Sequence, residues 1–188
     1  MAALSACGAD DSDQVYPDAA INNDVDQPLH YGVDSDFVPD GADWSTVVSW
    51  WTETESATSF GFHLCVDGDA QATITAVEPL NSVGEVEVLP PLVLTLGSES
   101  LLFISKAGYP PDLAEGDELG PAEATPITSG CGSNDPQQGL VVGLRALDTT
   151  GGGWRGVGIS YVVEGSDYRL EIPSELYMCG TSTEPCGE

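Results

Sequence analysis

Short apolar runs, separated by turns at intervals of about ten residues, are the feature that most restricts the fold of this chain. In the run SFGFHLCV, Phe60, Phe62, Leu64 and Val66 occupy alternate positions, which is the period of a strand with one buried face. The runs ATITAV, WRGVGISYVV and YRLEI are also typical of strands, and we find no amphipathic helical period. About seven to nine such strands predict an all-β fold built as an antiparallel β-sandwich.

The last third of the chain carries the clearest strand pattern. GLVVGLRAL, WRGVGISYVV and YRLEI are joined by DTTGGG and EGSD. Gly165 in EGSD can adopt a positive φ at little cost, which suits a tight turn. We therefore predict an antiparallel meander here. Earlier in the chain, Pro90 and Pro91 split GEVEVLPPLVLTL, and we expect a bend or a sheet edge at that point because proline cannot donate to a strand ladder.

Composition divides the chain into two parts. Residues 8–43 are dominated by Asp, Asn, Gly and Pro and show no periodicity, so we predict that 1–43 forms an N-terminal segment and acidic flexible tether. Tyr31 is a candidate to pin its last part to the core. Residues 44–188 carry the strands and form the predicted domain. Within it, 106–138 is rich in Pro, Gly and acids, and long loops of this kind are often functional.

The charge is extreme. The chain has 31 acidic residues against one lysine (Lys106) and three arginines (Arg145, Arg155, Arg169), for a formal net charge of −27. Nucleic acids are bound mainly by neutralising their phosphates with Lys and Arg, so this composition excludes nucleic acid and anionic lipid surfaces as direct ligands. A single-sign surface keeps copies apart, and we expect a monomer. The acidity suits a salty or cation-rich exterior; a basic or cationic partner is the alternative.

Five cysteines indicate an oxidising compartment. They are Cys7, Cys65, Cys131, Cys179 and Cys186. Neither His30 nor His63 stands in a zinc-like spacing with a cysteine pair. One cysteine lies apart near the start, and we expect the other four to pair. Three connectivities are open; we favour a short Cys179–Cys186 loop and a long Cys65–Cys131 bridge.

The residues Leu4, Ser5, Ala6 and Cys7, followed by Gly8 and the acidic ADDSDQ, resemble the lipobox of small bacterial surface lipoproteins. In that family a signal peptidase cuts before the cysteine, and a diacylglycerol is attached to its thiol. The resemblance implies lipidation at Cys7 and a place on the extracellular face of the membrane. Signal peptides also carry a basic and a longer apolar region. MAA supplies neither, so we expect an upstream start, a trimmed sequence or a chance match that leaves Cys7 a free thiol.

A second resemblance concerns the domain. CVDGDAQATITAVEPL resembles segments of Ig-like domains in secreted bacterial proteins, in which a strand ends, turns and is followed by a strand of the TITAV type. This implies Ig-like architecture for the sandwich. The Cys, Trp and Cys spacing of antibody domains is absent, so the resemblance extends to architecture only.

No residue pattern points to catalysis. The chain has no G-x-S-x-G motif, and a dyad of Cys65 with His63 needs a free thiol, whereas we expect Cys65 to be oxidised. Paired carboxylates can hydrolyse glycosidic bonds, but among 31 acids some pair always lies at a suitable separation. We therefore predict a protein that is not an enzyme.

Two kinds of binding residue are candidates. Asp34, Asp36, Asp40 and Asp43 in DSDFVPDGAD offer oxygen ligands for Ca²⁺. DGD (Asp67, Asp69) and EGDE (Glu115, Asp117, Glu118) are weaker candidates of the same kind, and solvated acidic loops are the alternative interpretation. Trp50, Trp51 and Trp154 offer aromatic platforms for sugars, and Trp154 follows three glycines in a predicted exposed turn. Core packing is the alternative for most of these tryptophans.

These observations lead to three functional hypotheses. The first is a non-enzymatic, exported, lipid-anchored cell-envelope interaction or structural module that contacts an envelope protein or glycan through 106–138 and a sheet edge. The second is a glycan- or solute-binding module that uses the exposed tryptophans. The third is an envelope hydrolase that uses acidic residues.

Overall fold

The computed structural model describes residues 27–31, 46–50, 57–97, 102, 105–132 and 137–181, with the backbone alone for 46–50. Within these ranges it is all-β, as the sequence predicts, and it contains strands and no helix. The strands are β1 (Leu29–Tyr31), β2 (Thr46–Trp50), β3 (Ala57–Val66), β4 (Ala72–Pro79), β5 (Val83–Gly84), β6 (Val86–Thr95), β7 (Ser105–Ala107), β8 (Glu118–Pro121), β9 (Gln138–Ala146), β10 (Gly151–Trp154), β11 (Val157–Val163), β12 (Ser166–Ile172) and β13 (Glu175–Cys179).

The largest sheet has six strands in the order β1-β3-β9-β6-β8, with β7 also paired to β3. All of its pairs are antiparallel. β1 falls within the predicted tether, yet it pairs with the end of β3, and its Leu29 is fully buried. Tyr31 contacts Phe62 edge-to-face at a centroid distance of 6.0 Å, so the tether residue expected to pack on the core does so.

Pro90 and Pro91 lie inside β6, which continues as one strand rather than two. Its pairing with β9 shifts register between Leu89 and Leu92. The prolines therefore occupy a bulge, where their missing N–H groups interrupt the ladder at only one point. The predicted bend is present, but it does not divide the segment.

The second sheet has the order β2-β13-β10-β5. β13 pairs with β10 in antiparallel fashion but with β2 in parallel. The prediction of a wholly antiparallel fold is therefore wrong at this pair. Parallel neighbours require a long crossover, and β2 and β13 satisfy this because they lie at opposite ends of the domain sequence.

The third sheet is β12-β11-β4, with both pairs antiparallel. β11 and β12 form a hairpin across Glu164 and Gly165, which both have positive φ (50° and 81°), as a type I′ turn requires. The predicted meander is only partly present. β9 pairs in the six-stranded sheet and β10 in the second sheet, so β11–β12 is the one hairpin of the predicted set.

One continuous apolar core draws residues from all three sheets. Its largest fully buried side chains include Trp154, Tyr161, Phe60, Leu144 and Ile159. A smaller cluster on Leu94, Leu96 and Val141 packs with Tyr109. In the described part of the chain, no helix has the length and apolar character that a membrane span requires.

The segment expected as a long loop, 106–138, is largely tied to the sheets where the structure describes it. It contains most of β7 and all of β8, and it adds isolated bridges from Ile127 to Ala72 and from Gly130 to Val66. The backbone groups of Ile127 and Gly130 thus find partners at the end of β3 and the start of β4, which ties this part of the connection to the sheets.

Candidate functional site

Trp154 does not offer a ligand platform. It ends β10, which lies between β5 and β13, and its side chain is 0% exposed. The expectation that Trp154 is exposed after its three glycines is wrong. Those glycines are a buried strand rather than a turn, because each of Gly151, Gly152 and Gly153 pairs with β13.

Other predicted site residues lie outside the described side chains. Trp50 ends β2 opposite Cys179, but only its backbone is described. The remainder lie outside the described residues altogether: Cys7, Asp34, Asp36, Asp40, Asp43, Trp51 and Cys186. The calcium, lipidation and remaining tryptophan predictions therefore stay predictions.

Cys65 and Cys131 form the predicted long disulfide, which joins residues 66 positions apart. A cross-link that closes a loop of this length stabilises a folded domain by about 4 kcal/mol in the chain-entropy treatment. Cys179 is also disulfide-bonded, and its partner lies outside the described residues. Oxidised cysteines remove the thiol that a Cys65–His63 dyad would need.

The disulfide lies beside a group of side chains that sequence reasoning missed. Nε2 of His30 lies 2.9 Å from Oδ2 of Asp67. One donor atom each of His30, Asp67 and Cys131 lie within 4.8 Å of one another. We call these three residues, together with Cys65, the disulfide cluster. Its members come from β1, the end of β3, the turn after β3 and the segment before β9, so local spacing gave no signal of it.

Main-chain hydrogen bonds hold the cluster together. The Asp67 amide donates to the carbonyl oxygen of Pro28 at 2.9 Å, and the Cys131 amide donates to that of Val66 at 3.0 Å. In register, His30 lies directly opposite Cys65 across the β1–β3 pair. The three backbone segments are therefore joined by hydrogen bonds as well as by the disulfide.

Two solvent-open clefts flank the turn between β3 and β4. The first, of about 370 Å³, is lined by Gln27, Pro28, Asp67, Ala70, Val163, Glu164, Ser166 and Tyr168. The second, of about 510 Å³, is lined by Gly68, Asp69, Ala70, Gln71, Thr128, Gly130, Cys131 and Gly132. The first lining contains two acids and the second contains one, and neither lining contains a lysine or an arginine.

Buried Gln138 organises the segment that carries Cys131. Its Oε1 accepts hydrogen bonds from the amides of Thr128 and Ser129 at 2.7 and 3.0 Å. Its Nε2 donates to the carbonyl oxygen of Pro126 and to the hydroxyl of Thr95. One side chain thus satisfies several backbone groups that would otherwise be unpaired next to the core.

All four lysine and arginine side chains of the sequence are engaged. The contacts are Arg145 with Glu87, Arg155 with Glu175 and Tyr177, Arg169 with Glu78 and Glu171, and Lys106 with the carbonyl oxygen of Asp112. The Arg169 guanidinium donates hydrogen bonds to the carboxylates of Glu171 and Glu78, and these bonds raise its pKa. The described surface therefore presents surplus acid, with its few cations already occupied by acidic or carbonyl oxygens.

Chemically, this arrangement favours cations over anions and offers no activated nucleophile among the described residues. His63 is half-buried on β3, where it lies opposite Gly139 in register. The chain matches no protein-family model, and no curated protein resembles it at a significant level.

Proposed function

We propose that this protein is an exported, non-enzymatic module of the cell envelope, anchored by a lipid on Cys7 and folded as an Ig-like β-sandwich. The observation that carries the proposal is the Cys65–Cys131 disulfide. Disulfides form and persist outside the reducing cytosol. A third oxidised cysteine, Cys179, supports the same compartment.

The sheets support the sandwich part of the proposal. Buried residues of the six-stranded sheet, such as Phe60 and Leu144, share one core with Ile159 of the third sheet and Met178 of the second. Two-layer packing of this kind is the usual way in which amphipathic sheets bury their apolar faces. The parallel β2–β13 pair departs from the wholly antiparallel sandwich that the sequence predicts.

The surface supports an interaction role in a cation-rich exterior. The net charge of −27 and the engaged cations leave a surface that repels anionic partners and attracts basic ones. Leu113 is 40% exposed within the acidic stretch Asp112–Asp117. An apolar contact in an acidic setting suits a partner that carries basic residues around an apolar patch, and we place the contact surface on this stretch.

Intact mass spectrometry on protein from its native cells tests the proposal. We expect a diacylglyceryl adduct on Cys7 and four cysteines that react with an alkylating reagent only after reduction. The variant Cys7→Ser should lose the adduct and move from the membrane to the soluble fraction. Ser5→Ala is the matched control, because it keeps the cysteine and a small residue in the lipobox. An unlipidated native chain with five free thiols would overturn the proposal.

A further inference from the structure

We propose that the disulfide cluster is a redox-gated zinc site: once the Cys65–Cys131 bond is reduced, the two sulfurs bind Zn²⁺ together with His30 and Asp67. This inference does not rest on the lipid anchor or on the compartment. It concerns only the side chains that the fold brings together at the end of β3.

The donor set is one that zinc uses. Thiolate, imidazole and carboxylate are its ordinary protein ligands, and structural sites take four of them. Tetrahedral coordination places such donors about 3.4–3.8 Å apart, given bonds of about 2.0–2.3 Å. One donor atom each of His30, Asp67 and Cys131 already lie within 4.8 Å of one another, and Cys65 is bonded to Cys131. Three of the four proposed ligands therefore lie close together, and reduction lets the two sulfurs move apart so that Cys65 can supply the fourth.

The scaffold of the site does not depend on the disulfide alone. Hydrogen bonds Val66 N to Ser129 O (2.9 Å), Cys131 N to Val66 O (3.0 Å) and Asp67 N to Pro28 O (2.9 Å) link the same three segments. The β1–β3 register fixes His30 opposite Cys65, and Gln138 anchors residues 128 and 129. In the folded chain these hydrogen bonds hold the three segments together beside the disulfide, and reduction frees the sulfurs while lowering the stability of the fold.

Charge makes the reduced cluster a cation site. Two thiolates beside the Asp67 carboxylate would gather three negative charges, which repel one another. Zn²⁺ neutralises two of them. The strongly acidic surface adds to the local concentration of cations.

The chemistry balances. A dithiol reductant transfers two electrons and two protons to the disulfide, giving the thiols of Cys65 and Cys131 and the disulfide of the reductant. Zn²⁺ then displaces the two thiol protons. In the reverse direction, a peroxide oxidant accepts two electrons from the two zinc-bound thiolates. With two protons, this yields the protein disulfide, free Zn²⁺ and two molecules of water. Metal and disulfide thus exclude each other.

Cobalt absorbance on the full chain tests the site. The protein is reduced with a dithiol, freed of it under inert gas and titrated with Co²⁺, then with Zn²⁺. We expect one equivalent of Co²⁺ to give the visible bands of tetrahedral coordination and a thiolate-to-cobalt band, both removed by Zn²⁺. The oxidised protein should give neither. Peroxide should release the zinc as the thiols of Cys65 and Cys131 disappear.

Variants distinguish metal binding at the proposed site from metal binding by thiols elsewhere in the chain. His30→Ala and Asp67→Asn should each weaken Co²⁺ binding more than about tenfold, while the matched controls His63→Ala and Asp167→Asn should not. The double variant C65S/C131S keeps the other three cysteines and should lose the thiolate band. Equal Co²⁺ affinity in His30→Ala and His63→Ala would overturn the proposal. A reduced chain that had lost its fold would also give equal affinities. A thiolate band that survives in C65S/C131S would overturn it as well.

Discussion

At the scale of single residues, the tightest constraint lies in the glycine strand β10. A Cβ built on Gly153 would lie 1.9 Å from the carbonyl oxygen of Leu176, which is a backbone atom that cannot turn away. This close approach to β13 explains why position 153 takes a glycine. A Cβ on Gly152 would meet the other neighbouring strand, 2.6 Å from the carbonyl oxygen of Val83 in β5.

Gly153→Ala should therefore lower the free energy of unfolding by more than about 2 kcal/mol, since the strand pair must move apart. Gly165→Ala is the matched control. Its φ is +81° and its Cβ would meet open space, so it should cost only about 1–2 kcal/mol for the left-handed backbone. Urea unfolding of both variants measures the difference. Equal losses would contradict the proposed clash.

Among single residues, Tyr109 gives the best-defined dependence of stability on pH. Burial raises the pKa of its phenol to about 12, compared with about 10 in an unfolded chain. Because the pKa is higher in the folded state, the stabilising contribution is complete below pH 10 and is lost as the pH rises from 10 towards 12. Burial also raises the pKa of Tyr31, Tyr161 and Tyr177.

We expect the melting temperature to fall between about pH 10 and pH 12, and to fall less steeply in Tyr109→Phe. This variant keeps the ring that packs on Gly143 but has no proton to lose. Tyrosinate absorbance followed alongside melting identifies the ionisation. If both proteins gave the same alkaline melting curve, Tyr109 would not be the group responsible.

At the scale of elements, Gln138 shows how one side chain shapes a segment. It accepts hydrogen bonds from the amides of Thr128 and Ser129 and donates one to Pro126. Gln138→Leu removes that partner from the buried amide of Ser129, at about 1–3 kcal/mol, and from the groups of Thr128 and Pro126, which are less buried and cost less because water reaches them. We expect the free energy of unfolding to fall by about 2–5 kcal/mol and amide hydrogen exchange to become faster at residues 128 and 129.

Gln137→Leu is the control for this prediction. Gln137 contributes its backbone carbonyl to the amide of Leu96, and that bond survives the change of side chain. Gln137→Leu should lower the free energy of unfolding by less than about 1 kcal/mol. Unchanged exchange at Thr128 and Ser129 in Gln138→Leu would argue that the segment is held by its bridges to β3 and β4 rather than by Gln138.

The sequence predicted the strands better than it predicted which strands pair with one another. Period-two runs identified β3, β11 and β12 because alternation follows directly from one buried face. Gly165 marked the turn of the β11–β12 hairpin. Pairing partners were not predictable, because a strand's own residues do not encode which edge it joins. The parallel β2–β13 pair and the division of the predicted meander among three sheets are the consequences.

The candidate site was predictable only in part, for the same reason. The cysteine count left three connectivities open, of which the favoured one contains the Cys65–Cys131 bond that the structure shows. It gave no hint of His30 and Asp67. They reach the disulfide through strand register and a turn, which are tertiary features without a local spacing.

At the scale of the whole molecule, surplus charge is the dominant feature. With 31 acids and four basic side chains, and with those four already in contact with oxygen atoms, self-repulsion acts across the surface and destabilises the compact state. Screening shortens the reach of this repulsion, from about 30 Å at 0.01 M salt to about 3 Å at 1 M. Stability should therefore depend on salt more than in a protein with balanced charge.

We expect the melting temperature at pH 7 to rise between 0.01 M and 1 M sodium chloride, because screening relieves repulsion in the folded state more than in the expanded unfolded chain. The control is the same pair of measurements near pH 4.1, the isoelectric point of the sequence. There the net charge is close to zero, so the gain should shrink towards the small general effect of salt on apolar burial. A gain of equal size at both pH values would assign it to apolar burial. Unchanged melting at pH 7 would mean that the acids are spaced widely enough for water alone to screen them.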